Sequence, residues 1–291
     1  MIRLLALLVP GLALAAPLPH PDGPCGNHAY GMATGQSAVS FNIGGLGQGR
    51  RTCGRSEVAL DAGGGLTVDL PNFYGALAAG ARLSGSYAIN DSVEVFGAWE
   101  FVRYEYLITP LSAAQVGMGF TNVGASWQFL KTTGAAAGVN GKVVLPTAVG
   151  ILKNAAPMGF DLGVSGQFAP HPNIHLHANV QGLFSFAAGT GPADPRGGAA
   201  IGLGGEFRIA TPFAISVDLQ SQLGHDAPLD WLGAAFDLRW SDGKRFGFHL
   251  GALVPFLGAE RSAVRLELGA SVRFGRIEPE EVPKPGMKPK S

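Results

Sequence analysis

Charged residues occur at every second position in several segments of the chain. This spacing could bring their side chains together into an ionic site. In the segment 263–274, AVRLELGASVRF, Arg265, Glu267 and Arg273 alternate with apolar residues. Successive residues of a strand point to opposite faces, so these three share one polar face. The same alternation upstream predicts a shared ionic surface. Its predicted members are Glu57, Asp61, Asp69, Arg82, Glu94, Glu100, Lys142, Asp161, Glu206, Arg208, Asp218, Asp237, Arg239, His249, Arg265, Glu267 and Arg273.

Two pairs of metal-ligating residue types are the other candidates for chemistry. His175 and His177 share the polar face of one strand. No third ligand is evident beside them, so we expect no metal site there. Cys25 and Cys53 precede the first strand, and in an oxidising compartment they predict a disulfide.

Catalysis and nucleotide binding have little support in the sequence. No G-x-S-x-G elbow is present, and the outward strand faces are almost wholly apolar. The glycine-rich segment 44–49 lacks the strand-then-helix context of a nucleotide site. We therefore expect no enzyme activity and no cofactor.

The composition is typical of a chain with a lipid-facing surface. Charged residues make up 14% of the 291 residues, against about 25% in soluble domains. The zero net charge argues against a nucleic-acid partner. Arg3, the apolar core 4–14 and Ala13-Leu14-Ala15 predict a secretory signal peptide over residues 1–15. That apolar run is shorter than the ~20 residues of a membrane-spanning helix.

Period-two alternation predicts twelve strands in the rest of the chain. The parity of the third strand shifts after Phe101, which predicts a bulge or an exit from the membrane. The regions 57–70 and 106–119 fit the pattern least well, so ten or fourteen strands stay open. The predicted strands span residues 57–70, 77–89, 92–106, 119–130, 136–145, 158–168, 174–186, 199–209, 213–223, 229–240, 245–256 and 263–274.

Connection lengths and aromatic positions extend the prediction to a membrane barrel. Short connections such as Asn90-Asp91 and Thr211-Pro212 alternate with longer ones such as 187–198. Aromatic residues form two predicted interfacial belts, which a soluble sandwich, the alternative, does not need. We therefore predict an all-β, antiparallel, up-and-down transmembrane β-barrel over residues 56–275 with both termini periplasmic. The belt at the short turns comprises Tyr87, Phe129, Phe168, Phe207, Phe213, Trp240, Phe246 and Phe274, and the other comprises Phe101, Phe184, Phe186 and Phe256.

In three features the chain resembles Gram-negative outer-membrane β-barrel proteins of the porin-like channel type. These features are the signal peptide, the alternating strands and the closing Ala270-Ser271-Val272-Arg273-Phe274. The resemblance covers residues 57–274 and is architectural. It implies an outer-membrane location, contact with outer-membrane lipid, and recognition of the terminal strand by the barrel-assembly machinery. The chain departs from the class by continuing over residues 275–291 after the Phe.

Two function classes are compatible with such a barrel. One is a narrow passive channel for small solutes, with the charged face as a mildly acidic lumen lining. The other is a non-transporting barrel that anchors an envelope-spanning complex for motility, secretion or polysaccharide export. The inward charges equally allow stiffening ion pairs, such as Asp237 with Arg265 or Arg239 with Glu267. The sequence has no one-sided arginine ladder, which disfavours a dedicated anion channel.

Two segments flank the predicted barrel. Residues 16–55 are predicted to be a periplasmic segment or a lumen plug clipped by the cysteine pair. Residues 276–291, rich in Pro and Lys, are predicted to be a disordered periplasmic tail. The tail is either inert or a tether for a periplasmic protein or the cell wall. Inward glycines such as Gly204, Gly251 and Gly269 are interpreted as leaving open lumen space or room for an inserted segment.

Overall fold

A computed structural model describes the strands of the chain and most of their connections. The predicted signal peptide (1–15), the segment 16–55 with Cys25 and Cys53, and the tail 276–291 lie outside the described residues. The described ranges are 56–69, 74–90, 92–108, 113–132, 135–149, 157–171, 173–187, 195–210, 212–224, 228–242, 245–259 and 263–275.

Antiparallel strands make up nearly all of the described structure. The described residues contain no helix long and apolar enough to cross a membrane. The strands are β1 (Ser56–Asp69), β2 (Tyr74–Ala88), β3 (Val93–Ile108), β4 (Ala113–Gly117), β5 (Thr121–Lys131), β6 (Ala135–Leu145), β7 (Pro157–His171), β8 (Ile174–Ala187), β9 (Arg196–Ala210), β10 (Phe213–Leu223), β11 (Trp231–Ser241), β12 (Phe246–Leu257) and β13 (Ala263–Phe274).

The sheet closes on itself into a barrel of twelve strands. Sequential strands pair in order, and β1 pairs with both β2 and β13. The short β4 and the following β5 pair with β3 in one continuous register and form a single wall strand. The predicted all-β fold with twelve strands is confirmed. The predicted fourth strand was too short at its start, because β4 occupies part of the segment predicted as a loop.

The faces of the wall follow the alternation of the sequence. Outward side chains are apolar and exposed, with Leu162 66% and Leu268 59% exposed. The opposite face carries the buried polar and charged side chains. A strand of twelve residues such as β12 is about 40 Å long at ~3.3 Å per residue. Tilted by about 45°, it rises roughly 28 Å, close to the ~30 Å hydrocarbon thickness of a bilayer.

A bulge in β3 confirms the predicted parity shift. Ala81 of β2 pairs with Val102, whereas Arg82 pairs with Glu100, so Phe101 has no counterpart on that side. An extra residue in one strand reverses which face the following residues occupy. On the other side of β3 the ladder continues through Glu100 N–H, which donates to the carbonyl of Phe120 at 3.1 Å.

Side-chain caps hold the short turns at one end of the barrel. Asn90 Oδ1 accepts hydrogen bonds from the backbone N–H groups of Ser92 and Val93 at 2.8 and 2.9 Å. Asp242 Oδ1 accepts from Arg245 and Phe246 at the same distances. Asn and Asp favour turns because their side chains bond to nearby backbone in this way. Arg245, the first residue of the predicted strand 245–256, is therefore an exposed turn residue, and β12 begins at Phe246.

Candidate functional site

The charged inner face of the barrel is the candidate site. Its side chains are buried despite their charge, apart from Arg239 and His249, which are half-buried. The Asp69 side chain is outside the described structure. The predicted lumen candidates placed on this face are Arg82, Glu94, Glu100, Lys142, Asp161, Glu206, Arg208, Asp218, Asp237, Arg239, His249, Arg265, Glu267 and Arg273, joined by Glu57 and Asp61.

Direct cross-strand neighbours form the simplest ion pairs along the wall. Lys142 and Asp161 are register partners on β6 and β7, with Nζ 2.9 Å from Oδ2. Arg82 and Asp61 are register partners on β2 and β1, with Nη2 2.9 Å from Oδ2. Facing residues in neighbouring strands lie close enough for opposite charges to attract. These pairs run along the wall between adjacent strands.

Arg239 makes a wider set of contacts along the wall. Its guanidinium pairs with Asp237, two residues earlier on β11, and its Nη1 lies 3.2 Å from Glu206 Oε2 on β9. The sequence suggested Glu267 as a partner for Arg239, whereas the structure places Glu267 Oε1 3.2 Å from Arg82 Nη2. Which pairs form depends on strand register, which cannot be read from the sequence.

Two histidine–aspartate pairs form across an intervening glycine. His177 on β8 and Asp218 on β10 are both register partners of Gly204 on β9, and their side chains are in hydrogen-bond contact above it. A Cβ at position 204 would overlap Asp218 Oδ1 and lie 2.7 Å from His177 Nε2. The side chains of neighbouring residues therefore occupy the space above Gly204. The interpretation of this glycine as open lumen space was wrong.

The second glycine-bridged pair lies in β12, β13 and β1. His249 and Asp61 are both register partners of Gly269, and a Cβ there would overlap Asp61 Oδ1. His249 Nε2 lies 3.8 Å from Asp61 Oδ1 and 3.6 Å from Glu267 Oε1. Arg82 contacts both carboxylates from β2. Four strands thus contribute one cluster of two acids, one arginine and one histidine.

Arg103 is an inward charge that the sequence analysis missed. Its side chain is buried, with Nη2 2.7 Å from Glu105 Oε1 and Nη1 3.5 Å from Glu100 Oε2. The bulge at Phe101 turns Arg103 inward, whereas unbroken alternation would have placed it on the apolar outer face. The predicted parity shift was the signal that could have identified it.

An apolar cluster inside the barrel was also missed. Trp231 and Leu253 are 2% and 1% exposed and belong to one buried cluster with Leu183, Ala200 and Ala235. The guanidinium carbon of Arg265 lies 5.6 Å from the Trp231 ring centroid, within cation–π range. These residues lie toward the long-connection end of their strands. Strand parity alone places Trp231 inward, because Leu232 points outward.

The predicted aromatic belts lie on the outer surface. Near the short turns, Tyr87, Phe129, Phe168, Phe213, Phe246 and Phe274 are exposed, and Phe207 and Trp240 are half-buried. The Trp240 and Phe248 rings pack with centroids 5.4 Å apart. In the second set, Phe256 is exposed, Phe184 packs 5.0 Å from Phe160, and Phe101 lies at the bulge.

Comparison with known proteins shows relatives in structure only. No family model and no curated protein matches the chain. An outer membrane channel from Pseudomonas putida F1 superposes with a TM-score of 0.58 at 12% identity, covering 76% of this chain and 96% of that chain. The KdgM porin superposes with a TM-score of 0.50 at 12% identity, covering 75% of this chain and 99% of that chain.

The chain has the outer-membrane β-barrel fold. The predicted architectural resemblance is therefore confirmed, and the similarity spans the whole barrel rather than one segment. At this low identity the two solved proteins share their fold with the chain, and their charged residues cannot be transferred position by position. The properties of this barrel must therefore be argued from its own inner face.

Proposed function

We propose that the chain is a narrow passive outer-membrane channel for small solutes. The main support for this proposal is that the outer and inner faces of the closed barrel differ in polarity. The outward face is apolar and exposed, as a lipid-facing surface must be, and the inward face carries the charged residues. An anchor needs only the apolar outer face, whereas paired charges along the inner face suit a narrow path for small hydrophilic solutes.

The pairing of charges supports a channel with weak ionic selectivity. Lys142 with Asp161, Arg82 with Asp61, and Arg239 with Glu206 neutralise one another along the wall. Buried inward acids outnumber buried inward bases among the described residues. We therefore infer that neutral and zwitterionic solutes pass, with a mild preference for cations over anions.

The barrel size supports a small solute. Barrels of about eight strands fill with side chains, whereas those of 16 to 18 strands leave a wide channel. Twelve strands with a buried inner lining lie between these limits. The outer-membrane location belongs to the same proposal. It is supported by the apolar outer face and by the fold shared with an outer membrane channel.

Solute flux into liposomes tests the proposal. We expect proteoliposomes to swell rapidly in neutral monosaccharides and much more slowly in trisaccharides, because a narrow lumen excludes the larger solute. Liposomes with heat-denatured protein are the control. Absence of swelling with every solute, in protein that migrates as a folded barrel on an unheated gel, would overturn the channel and leave the anchoring function.

A further inference from the structure

We propose that the inner face holds a site for a divalent transition-metal ion such as Zn²⁺, formed by Asp61, His249 and Glu267. The site is an addition to the channel function and does not require solute flux. Among the described residues, these three offer ligand atoms that all lie within 4.8 Å of one another. No metal site was expected from the sequence, because the strand register that brings these three residues together cannot be read from it.

The distances are close to those of a formed metal site. Zinc binds His nitrogen and carboxylate oxygen at about 2.0–2.2 Å in a tetrahedral arrangement, which separates two ligand atoms by roughly 3.3–3.6 Å. His249 Nε2 already lies 3.6 Å from Glu267 Oε1 and 3.8 Å from Asp61 Oδ1. Small side-chain rotations would therefore complete three-ligand coordination, with water as the fourth ligand.

Strand register brings the three ligands together. Asp61, Gly269 and His249 form one cross-strand row through β1, β13 and β12. Gly269 has no side chain, and the space above it is where the carboxylate and the imidazole meet. Glu267 lies two residues away on β13, between its register partners Gly63 and Gly251. Two glycines thus flank Glu267 and leave its side chain room to reach the row.

The donor set favours a borderline transition metal over calcium or magnesium. Imidazole suits Zn²⁺, Ni²⁺ and Cu²⁺, whereas Ca²⁺ and Mg²⁺ prefer oxygen ligands alone. Asp61 and Glu267 are buried, and the half-buried His249 leaves the cluster reachable from solvent. The cluster therefore combines enclosed carboxylates with one accessible imidazole.

Arg82 does not bind the ion but lowers the affinity of the site for it. Its Nη2 lies 2.9 Å from Asp61 Oδ2 and 3.2 Å from Glu267 Oε1. The guanidinium offsets the two carboxylates when no metal is bound and opposes the approach of a cation. Its removal should therefore tighten metal binding.

The glycine-bridged pair at Gly204 provides an internal control. His177 and Asp218 flank Gly204 as His249 and Asp61 flank Gly269. Position 202, two residues before that glycine, is Gly where β13 carries Glu267. Ser216 Oγ also donates a 2.9 Å hydrogen bond to Asp218 Oδ2. The pair offers two ligands, so it should not hold a metal ion on its own.

Zinc titration of the full chain tests the site. The protein is purified in detergent without a histidine tag, and Zn²⁺ binding is measured by competition with a chromophoric chelator. We expect one saturable site, weakened more than about tenfold in H249Q and E267Q and unchanged in H177Q. We expect R82M to bind about tenfold more tightly, because the guanidinium charge no longer opposes the cation or occupies the two carboxylates.

Cobalt spectra give a second measure of metal binding, and gel mobility shows whether each variant is folded. Co²⁺ in the wild-type protein should give visible absorption bands of a tetrahedral site, and these bands should be lost in H249Q. Each variant must show the heat-dependent mobility of a folded barrel. No saturable binding in folded protein, or equal binding by wild type and H249Q, would overturn the site. Zinc binding by a barrel that passes no solute would support the site while rejecting the channel.

Discussion

At the residue scale, the inner face consists of charges that are buried and locally paired. Lys142 and Asp161 show the arrangement most simply, because they face each other on adjacent strands 2.9 Å apart and are both nearly inaccessible. Removing a charge from water costs several kcal/mol of free energy. Only close pairing with an opposite charge compensates for this cost. The inner wall therefore depends on each partner being present.

Replacement of Lys142 tests this dependence. Lys142→Met removes the ammonium and leaves the buried Asp161 carboxylate without it, which should destabilise the barrel by about 3–5 kcal/mol. The change is measured as a lower denaturant midpoint for loss of the folded gel band. The double variant Lys142→Met/Asp161→Leu is the control, and it should recover most of the loss. Equal stability of Lys142→Met and wild type would show that the pair contributes nothing.

At the element scale, alternation predicted the strands and the outward positions well. The face of Phe160, Leu162 and Val164 in β7 is exposed as expected, because the period of two is a property of the backbone. The pattern missed β4 and Arg103, where a bulge and an interrupted ladder break that period. Partners such as Arg239 and Glu206 could not be predicted, because they depend on register across three strands.

A charged substitution on the outer face of β13 tests whether that face contacts lipid or water. Leu268 is 59% exposed in the middle of the strand. Arginine there should destabilise the barrel in lipid by about 2–4 kcal/mol, because a charge at the bilayer midplane is costly. Reversible unfolding in phospholipid vesicles measures the effect.

Leu268→Ala is the matched control, since it removes the same side chain without adding a charge, and it should cost much less. In a water-soluble barrel the arginine at this exposed position would be harmless. Equal stability of the arginine and alanine variants would therefore contradict a lipid-facing outer surface.

At the scale of the whole molecule, closure joins the first and last strands into one wall. β1 pairs with β13 along its length, so the lumen-facing charges of both ends of the barrel sequence, such as Glu57 and Arg273, lie side by side. No local pattern predicts that contact, because its residues are far apart in the chain. Closure separates the apolar outer face from the charged inner face, and the channel proposal depends on this separation.

Single-channel recording in planar bilayers tests whether the barrel conducts ions. The purified full chain, shown to be folded by its heat-dependent gel mobility, is added to a bilayer in a potassium chloride gradient. We expect stable ohmic steps of small conductance and a reversal potential that favours K⁺ modestly over Cl⁻, because inward acids exceed inward bases. An electrically silent bilayer containing folded protein would contradict the claim that this barrel is a channel.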